Sequence, residues 1–432
     1  MEEKRRYTAR ELAVLSLCRL ERQGKYGSLE ADAAIKKFKL SGAEKALYTR
    51  LFYGVLERRI TLDHIISAVS DKKPEDMTLE MKNILRISAY QLLYLDRVPD
   101  YSVVNEAAEL AKKYERVSAA GFVNAVLRRI AREGAPEIIR KDDIAAYLSV
   151  KYSVSEQICG LMINEIGFDE AEQYFKSLFK NRYLTLRVNT LKTGVAELKK
   201  TLEENGITSE PVPQSGFGLK LTCFADTEKL FRITDGLAYI EDGASQAATE
   251  LLDAQPGMTV ADVCAAPGGK TVSAAIQMKN SGMIYAFDIH KNKLKLIDKT
   301  AENLGISIIK TAVHDGRQPL QQLCGECDRV ICDVPCSGLG VLGQKPDMRY
   351  KEITDTERLI STQRAILRSA SAYLRSGGIM VYSTCTVLSA ENGENVADFL
   401  KNNSGFELLY EKTYYPHTDG VEGFYTAKIR RK

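Results

Sequence analysis

Nine cysteines are scattered through the 432 residues, and two of them stand where a thiolate could act as a nucleophile. Cys336 lies in DVPCSGLG (333–340) and Cys385 in YSTCTV (382–387). A lone cysteine is usually a buried, inert filler. Here Pro335 and the glycines that follow make a loop rather than a core strand. A thiol at such a turn, near strand and helix ends, is accessible and can ionise. Four cysteines crowd together at 324, 327, 332 and 336, and CGEC (324–327) has the spacing of half a zinc site. No second CxxC lies at zinc-ribbon spacing and no histidine pair accompanies it, so no metal is expected. Cys324 and Cys327 read as a loop before a buried strand.

A second set of residues suits a cofactor. DVCAAPGGKT (262–271) places a glycine turn between a strand and a helix, where backbone approaches a ligand closely and helix N–H groups point at it. The candidate binding run is Cys264, Ala265, Ala266, Pro267, Gly268, Gly269 and Lys270. Its spacing is neither the G-x-G-x-x-G of nicotinamide enzymes nor the phosphate-loop pattern. Asp288 follows 18 residues beyond Lys270, placed to accept hydrogen bonds from ribose hydroxyls. Asp315 and Asp333 stand at further strand ends. Each acid alone would more often be a helix cap or a solvated turn. A rim of them suits a cationic sulfonium without phosphates, which is S-adenosylmethionine; a pyrophosphate would want positive charge. A thiolate beside a methyl donor suits substitution at carbon 5 of cytosine. That carbon is a poor nucleophile until a thiolate adds to carbon 6 and makes an enamine. The proton on carbon 5 must then leave and the thiol must be eliminated, so such a site wants a reactive cysteine, an acid near ring N3 and a proton acceptor.

The elements that must position these residues alternate. Strands are expected at Thr259–Val263, Met283–Asp288, Ile308–Val313, Arg329–Asp333 and Ile379–Ser383, with helices at Thr271–Met278, Lys291–Leu304, Thr354–Leu374 and Glu391–Leu400. This predicts an α/β fold with a doubly wound, Rossmann-like parallel sheet over residues 236–432. Ligands bind such sheets at the carboxyl ends of the strands, where all the candidate motifs fall. Adjacent strand ends would bring Cys336 and Cys385 together despite 49 residues of separation. Residues 1–140 read as all-helical, with capping-box spacing at Thr8–Glu11 and Ser41–Glu44 and an apolar stripe through Leu47, Leu51 and Val55. Residues 145–235 read as a small α/β module, with a strand in YLTLRVNT (183–190), a helix in 194–206 and a short strand around Leu219–Leu221.

Composition is that of an ordinary globular chain, 44% hydrophobic and 27% charged. No run approaches the roughly 20 apolar residues of a membrane span. The charged N-terminus has too short an apolar run for a signal peptide. A cytoplasmic monomer is expected. The net charge of +3 is uneven: residues 1–140 carry 26 Lys and Arg against 20 Asp and Glu, and the remainder is −3. A basic N-terminal third fits nucleic-acid binding, although it also fits a solvated surface.

VVNEAAELAKKY (103–114) and GFVNAVLRR (121–129) resemble the NusB family of helical RNA-binding domains. DVCAAPGGKT, DVPCSGLG and YSTCTV together resemble the RNA (cytosine-5)-methyltransferase family, and with the NusB-like region the group, also called Sun or Fmu, that modifies 16S ribosomal RNA. HTDGVEGFYTAKI (417–429) is similar to that family's C-terminal segment, and KPDMRY (345–350), more loosely, to a region that contacts RNA. The resemblance implies that Cys385 is the covalent nucleophile, that Cys336 assists product release, that Asp333 supports the cytosine ring and that Lys270 lies by the target base. It implies that the 264–270 loop, Asp288, Asp315 and Asp333 bind S-adenosylmethionine. A DNA cytosine methyltransferase would be expected to carry its nucleophile in the Pro-Cys segment, at Cys336. A non-catalytic assembly factor using the helical region would not need the motifs, and a nicotinamide oxidoreductase would need other glycine spacing.

Overall fold

The computed structural model describes residues 7–24, 27–138, 142–180, 183–223 and 226–432. The chain divides into two compact units, one made of Met1–Lys176 with Gln344–Glu352, the other of Ser177–Gly343 with Ile353–Lys432. No helix among the described residues is long and apolar enough to cross a membrane.

The first unit is helical. Helices Ala9–Gln23, Gly42–Val69, Leu79–Tyr94, Asp100–Tyr114 and Ala119–Glu133 enclose a core that includes Leu12, Leu51, Val55, Ile84, Ala107 and Leu127. Apolar residues at helical spacing produce it, because one stripe of each helix must leave water. Thr8 caps its helix, accepting from the Glu11 N–H at 3.2 Å. Ser41 makes no cap with its side chain, and Glu44 instead accepts from the N–H of Ala9. The second capping box is therefore not formed: its carboxylate serves the start of a neighbouring helix.

Residues 145–235, read from sequence as one module, are split between the units. Helices Ile144–Tyr152, Glu156–Ile166 and Phe168–Ser177 follow the bundle. The remainder, joined by a strand just beyond it, forms a small antiparallel sheet from β1 (Thr185–Val188), β2 (Ser209–Pro211), β3 (Gly218–Leu221) and β4 (Ala238–Ile240), in the order β2-β3-β1-β4. Residues 344–352 also break the expected order: they sit in the helical unit, at a kink in helix Gly42–Val69. Arg58 has non-helical φ/ψ of −132° and 20°, which frees backbone groups on either side. Arg349 donates to the carbonyl of Glu57 at 2.8 Å, and Tyr350 donates to that of Leu56. The N–H of Arg59 donates to the Tyr350 hydroxyl, while its guanidinium stacks 3.8 Å from that ring's centroid. Arg349 is fully buried, so its cation serves the chain's own backbone instead of facing RNA.

The second unit carries the expected sheet. Its strands are β5 (Thr259–Asp262), β6 (Met283–Asp288), β7 (Ile309–Val313), β8 (Cys327–Asp333), β9 (Leu374–Thr384), β10 (Phe406–Tyr414) and β11 (Phe424–Arg431), in the order β10-β11-β9-β8-β5-β6-β7. The first five are mutually parallel and match the expected strands. β11 runs antiparallel between β9 and β10, a hairpin the sequence pattern does not announce. The order reverses between β5 and β8, so the loops leaving their carboxyl ends diverge and open a crevice there.

Arg349→Ala should destabilise the helical unit by about 2–3 kcal/mol, the cost of removing a charged partner from a buried carbonyl. A urea midpoint unchanged from that of the unsubstituted protein would contradict the role given to this segment.

Candidate active site

At the carboxyl ends of the parallel strands lies a cavity of about 500 Å³, lined by Cys264, Asp288, Asp315, Asp333, Cys336 and Cys385 among others. Of the run 264–270, Cys264 and Ala266 reach it and the rest shape the turn. The buried Ala265 donates its N–H to the carbonyl of Phe287 at 2.8 Å, which ties the loop to the end of β6. Gly268 has φ +111°, and a Cβ there would stand 2.9 Å from Ile297. Only glycine allows that turn into helix Gly269–Gln277. Pro267, Gly268 and Gly269 thus set the path of the chain and do not line the cavity.

Lys270 turns back to Asp333, Nζ to Oδ2 at 2.7 Å, and stands 5.0 Å from the centroid of the Phe424 ring. Burial works against its ammonium, but the charge and hydrogen bond of Asp333, with Glu241 and Asp262 behind, outweigh it and hold Lys270 above the ordinary lysine value. The other oxygen of Asp333 accepts from Ser383 Oγ at 2.7 Å. Asp288 uses Oδ1 to accept the His290 N–H at 2.8 Å. Asp315 is paired with Arg317 at 2.6 Å, and that side-chain bond, with the Arg317 N–H, pulls its carboxyl down to about 2.

The two cysteines meet. Cys336 and Cys385 place their sulfurs 3.1 Å apart, within a hydrogen bond of each other, and both are half-buried thiols outside any disulfide. The bond to Cys385, then burial, raises the Cys336 thiol well above its usual value. The loops around them are stitched through backbone: Gly340 donates to the Cys385 carbonyl at 2.9 Å, and Gly423 donates to the Gly340 carbonyl at 3.0 Å. A Cβ on Gly340 would lie 1.7 Å from the Gly423 oxygen, so the approach requires glycine. Cys324 and Cys327 stand apart from this site: Cys327 opens β8 and is buried, and Cys324 donates to the carbonyl of Leu320.

Sequence reasoning passed over Asp262, the first residue of its own cofactor motif. Asp262 is 1% exposed and accepts from Thr271 Oγ1 at 2.6 Å. Burial pushes its carboxyl up to about 7, aided by Asp333 and opposed by Thr271, Lys270 and the Cys264 N–H.

The cavity fits S-adenosylmethionine. Carboxylates at the ends of β6 and β8 and just after β7 can meet hydroxyls and a cation, and the basic Arg317 is already neutralised by Asp315. Val263, Ile289 and Ile366 offer apolar wall to a flat ring. Five parallel strands closed by an antiparallel hairpin, with this cavity at their carboxyl ends, are the architecture of the S-adenosylmethionine-dependent methyltransferases. Comparison with known proteins narrows the class. Residues 7–132 match the NusB family, residues 161–228 the ferredoxin-like domain of RsmF/B-like methyltransferases, and residues 249–430 the family described as 16S rRNA methyltransferase RsmB/F. The chain is 34% identical to the probable ribosomal RNA small subunit methyltransferase B of Bacillus subtilis (strain 168), over 98% of this chain and 99% of that one. It is 28% identical to the ribosomal RNA small subunit methyltransferase B of Serratia proteamaculans (strain 568), over 99% of each. A solved methyltransferase homologue from Pyrococcus horikoshii superposes with a TM-score of 0.60 at 28% identity, covering 68% of this chain and all of that one. The chain belongs to the ribosomal RNA small subunit methyltransferase B family.

The raised Asp262 carboxyl has a measurable consequence. The folded state holds this proton to higher pH than the unfolded chain, so stability falls as pH rises from about 4 to 7 at this group. Asp262→Asn should flatten the fall while keeping an acceptor for Thr271. A pH–stability profile identical to that of the unsubstituted protein over that window would show that Asp262 is not held protonated.

Proposed function

We propose that this enzyme transfers a methyl group from S-adenosylmethionine to carbon 5 of a cytosine in 16S ribosomal RNA, through a covalent adduct on Cys385. The observation that carries the reading is the pair of thiols, 3.1 Å apart at one cavity and beside the Lys270–Asp333 pair. Addition and elimination at one carbon need a nucleophile and a proton acceptor within reach of the same ring.

S-adenosylmethionine, held by the 264–270 loop with Asp288 and Asp315, would supply an electrophilic methyl group there. The thiolate of Cys385 adds its electron pair to carbon 6, and the C5=C6 pair becomes available at carbon 5. Asp333, braced by Lys270 and Ser383, would accept a hydrogen bond from the polar N3–N4 edge of the ring in this reading. Once the Cys385 sulfur is committed to carbon, Cys336 no longer shares a hydrogen bond with it and gives its own proton to water. Its thiolate takes the carbon 5 proton, the C–H pair re-forms C5=C6, and the C6–S pair returns to Cys385. The helical unit binds the RNA in this reading. Arg128 and Arg132 stand with the exposed Tyr101 around a shallow depression on it, a guanidinium-and-aromatic surface suited to phosphate and base.

Arg128→Ala with Arg132→Ala should weaken RNA binding and lower the slope of log affinity against log salt by roughly 0.7–0.9 for each phosphate no longer neutralised. An unaltered slope would remove these residues from the interface.

The two thiols are separated by a denaturing gel after incubation with 16S ribosomal RNA and S-adenosylmethionine. Cys336→Ala should still attack and transfer methyl, then stall as a covalent protein–RNA band. Cys385→Ala and the double variant should give neither band nor product. The reverse pattern would make Cys336 the nucleophile, the arrangement of a DNA-type enzyme. Full turnover in both single variants would exclude thiol chemistry altogether.

A further inference from the structure

Behind the two cysteines lies a buried polar network that the reaction as described does not use. Glu391 is fully buried, as are Gln363 and Asn395, and Asn392 is nearly so. Glu391 Oε2 accepts the backbone N–H of Ser337 at 2.9 Å and Gln363 Nε2 at 2.8 Å. The same Gln363 nitrogen donates to the carbonyl of Pro335 at 3.0 Å, and Asn395 orients the amide by donating to its oxygen. The peptide groups before and after Cys336 are thus held from one side. The adjacent residue holds the other loop: Asn392 Oδ1 accepts from Thr384 Oγ1 at 2.5 Å, and Nδ2 donates to the carbonyl of Thr386 at 3.1 Å, on either side of Cys385. Ser337 Oγ to Thr386 Oγ1, 2.8 Å, closes the ring between the loops.

Burying a carboxylate is costly, and here Oε2 takes both donors while Glu391 Oε1 is buried without a hydrogen-bond partner among the described residues. A network that only stabilised the sheet could be apolar. This one grips the four residues that flank two sulfurs. Neighbouring residues divide the task, Glu391 taking the Cys336 loop and Asn392 the Cys385 loop. We propose that Glu391, acting through Gln363 and Ser337, is the positioning residue that sets Cys336 for the release step. This rests on the assignment of Cys385 as nucleophile and Cys336 as proton acceptor. In that step the C5–H pair re-forms the ring double bond as the Cys336 thiolate takes the proton, and the C6–S pair leaves with Cys385. A thiol displaced by an ångström would miss the proton, while the Cys385 loop, although joined to the other through Ser337 and Thr386, keeps its own two bonds to Asn392 and can still attack.

The test is the ratio of trapped adduct to methylated product, measured on the full chain with 16S ribosomal RNA and S-adenosylmethionine. Glu391→Ala should accumulate a covalent band like that of Cys336→Ala. Its turnover should fall by roughly 10²-fold, the scale of a small misplacement at a reacting centre, with KM for both substrates unchanged. Glu391→Gln, which keeps an acceptor oxygen, should restore turnover and clear the band; a Gln variant that behaves like Ala would overturn a positioning role. Gln363→Met removes the bridge without touching the carboxylate and should also accumulate adduct, which keeps the test decisive if Glu391→Ala does not fold. A folded Glu391→Ala that turns over normally, or that loses adduct and product together, would overturn the proposal. Cys336→Ala on the same gel separates the two levels. No band from it sinks the underlying chemistry, whereas a band from it and none from Glu391→Ala or Gln363→Met sinks only the positioning role.

Discussion

The register between β8 and β9 sets where the two thiols and Asp333 meet. These strands are parallel neighbours, and Asp333 stands opposite Ser383 at their carboxyl ends. Parallel strands lie about 4.8 Å apart, so the chains leave the sheet side by side and the third residue after Asp333 meets the second after Ser383. The Ser383–Asp333 hydrogen bond and the approach of the two sulfurs both follow from that one pairing. A slip of one residue would turn Ser383 to the opposite face and draw the thiols apart. β9 is guarded against such a slip by β11 on its other edge, where Tyr425 pairs with Thr384. The terminal hairpin is therefore part of the site: it locks the strand that carries Cys385 and delivers Gly423 and Phe424 to it.

The site concentrates charge where the sheet ends. Asp262 and Glu391 are shielded from water and Lys270 is half-buried, each bound to specific partners through at least one polar atom. Apolar residues of similar volume would often serve stability as well or better. Their placement instead holds short loops, rich in glycine and proline, in one conformation. Buried apolar residues such as Val334, Leu339, Val387 and Leu388 anchor these loops, and the hydrogen bonds from behind fix the peptide groups between them.

Much of this was legible in the sequence where physics acts locally. The helix expected at Lys291–Leu304 is observed with both ends as read, because its apolar stripe and the glycine after it are short-range signals. Four of the five parallel strands end in Asp or in a motif residue, so the convergence of Cys264, Asp288, Asp333, Cys336 and Cys385 could be anticipated. The hairpin could not: the register of β10 shifts between Leu408 and Tyr410, which spoils its period of two, and β11 is buried through Phe424–Ala427 without alternation. Nor could Gln363 and Glu391 be found, since nothing 28 residues beyond Pro335 or 54 beyond Ser337 marks a side chain as reaching back. Which core residues 145–177 pack into was not legible for a related reason. A helix carries its periodicity in its own sequence, but which core it joins is decided by distant partners.

Residues 344–352 have a bearing on how such proteins are cut, recombined and inherited. They leave the catalytic chain, fill the broken turn around Arg58 in the helical unit and return. No single scission can release one unit complete, since a fragment beginning near residue 177 carries away the plug and leaves carbonyls at 56 and 57 bare. A chimera that took its helical half from one relative and its catalytic half from another would join a kink to a plug that never evolved for it. Substitutions at Arg349 and Tyr350 should accordingly keep company, across lineages, with those at positions 56–60 rather than with their own sequence neighbours.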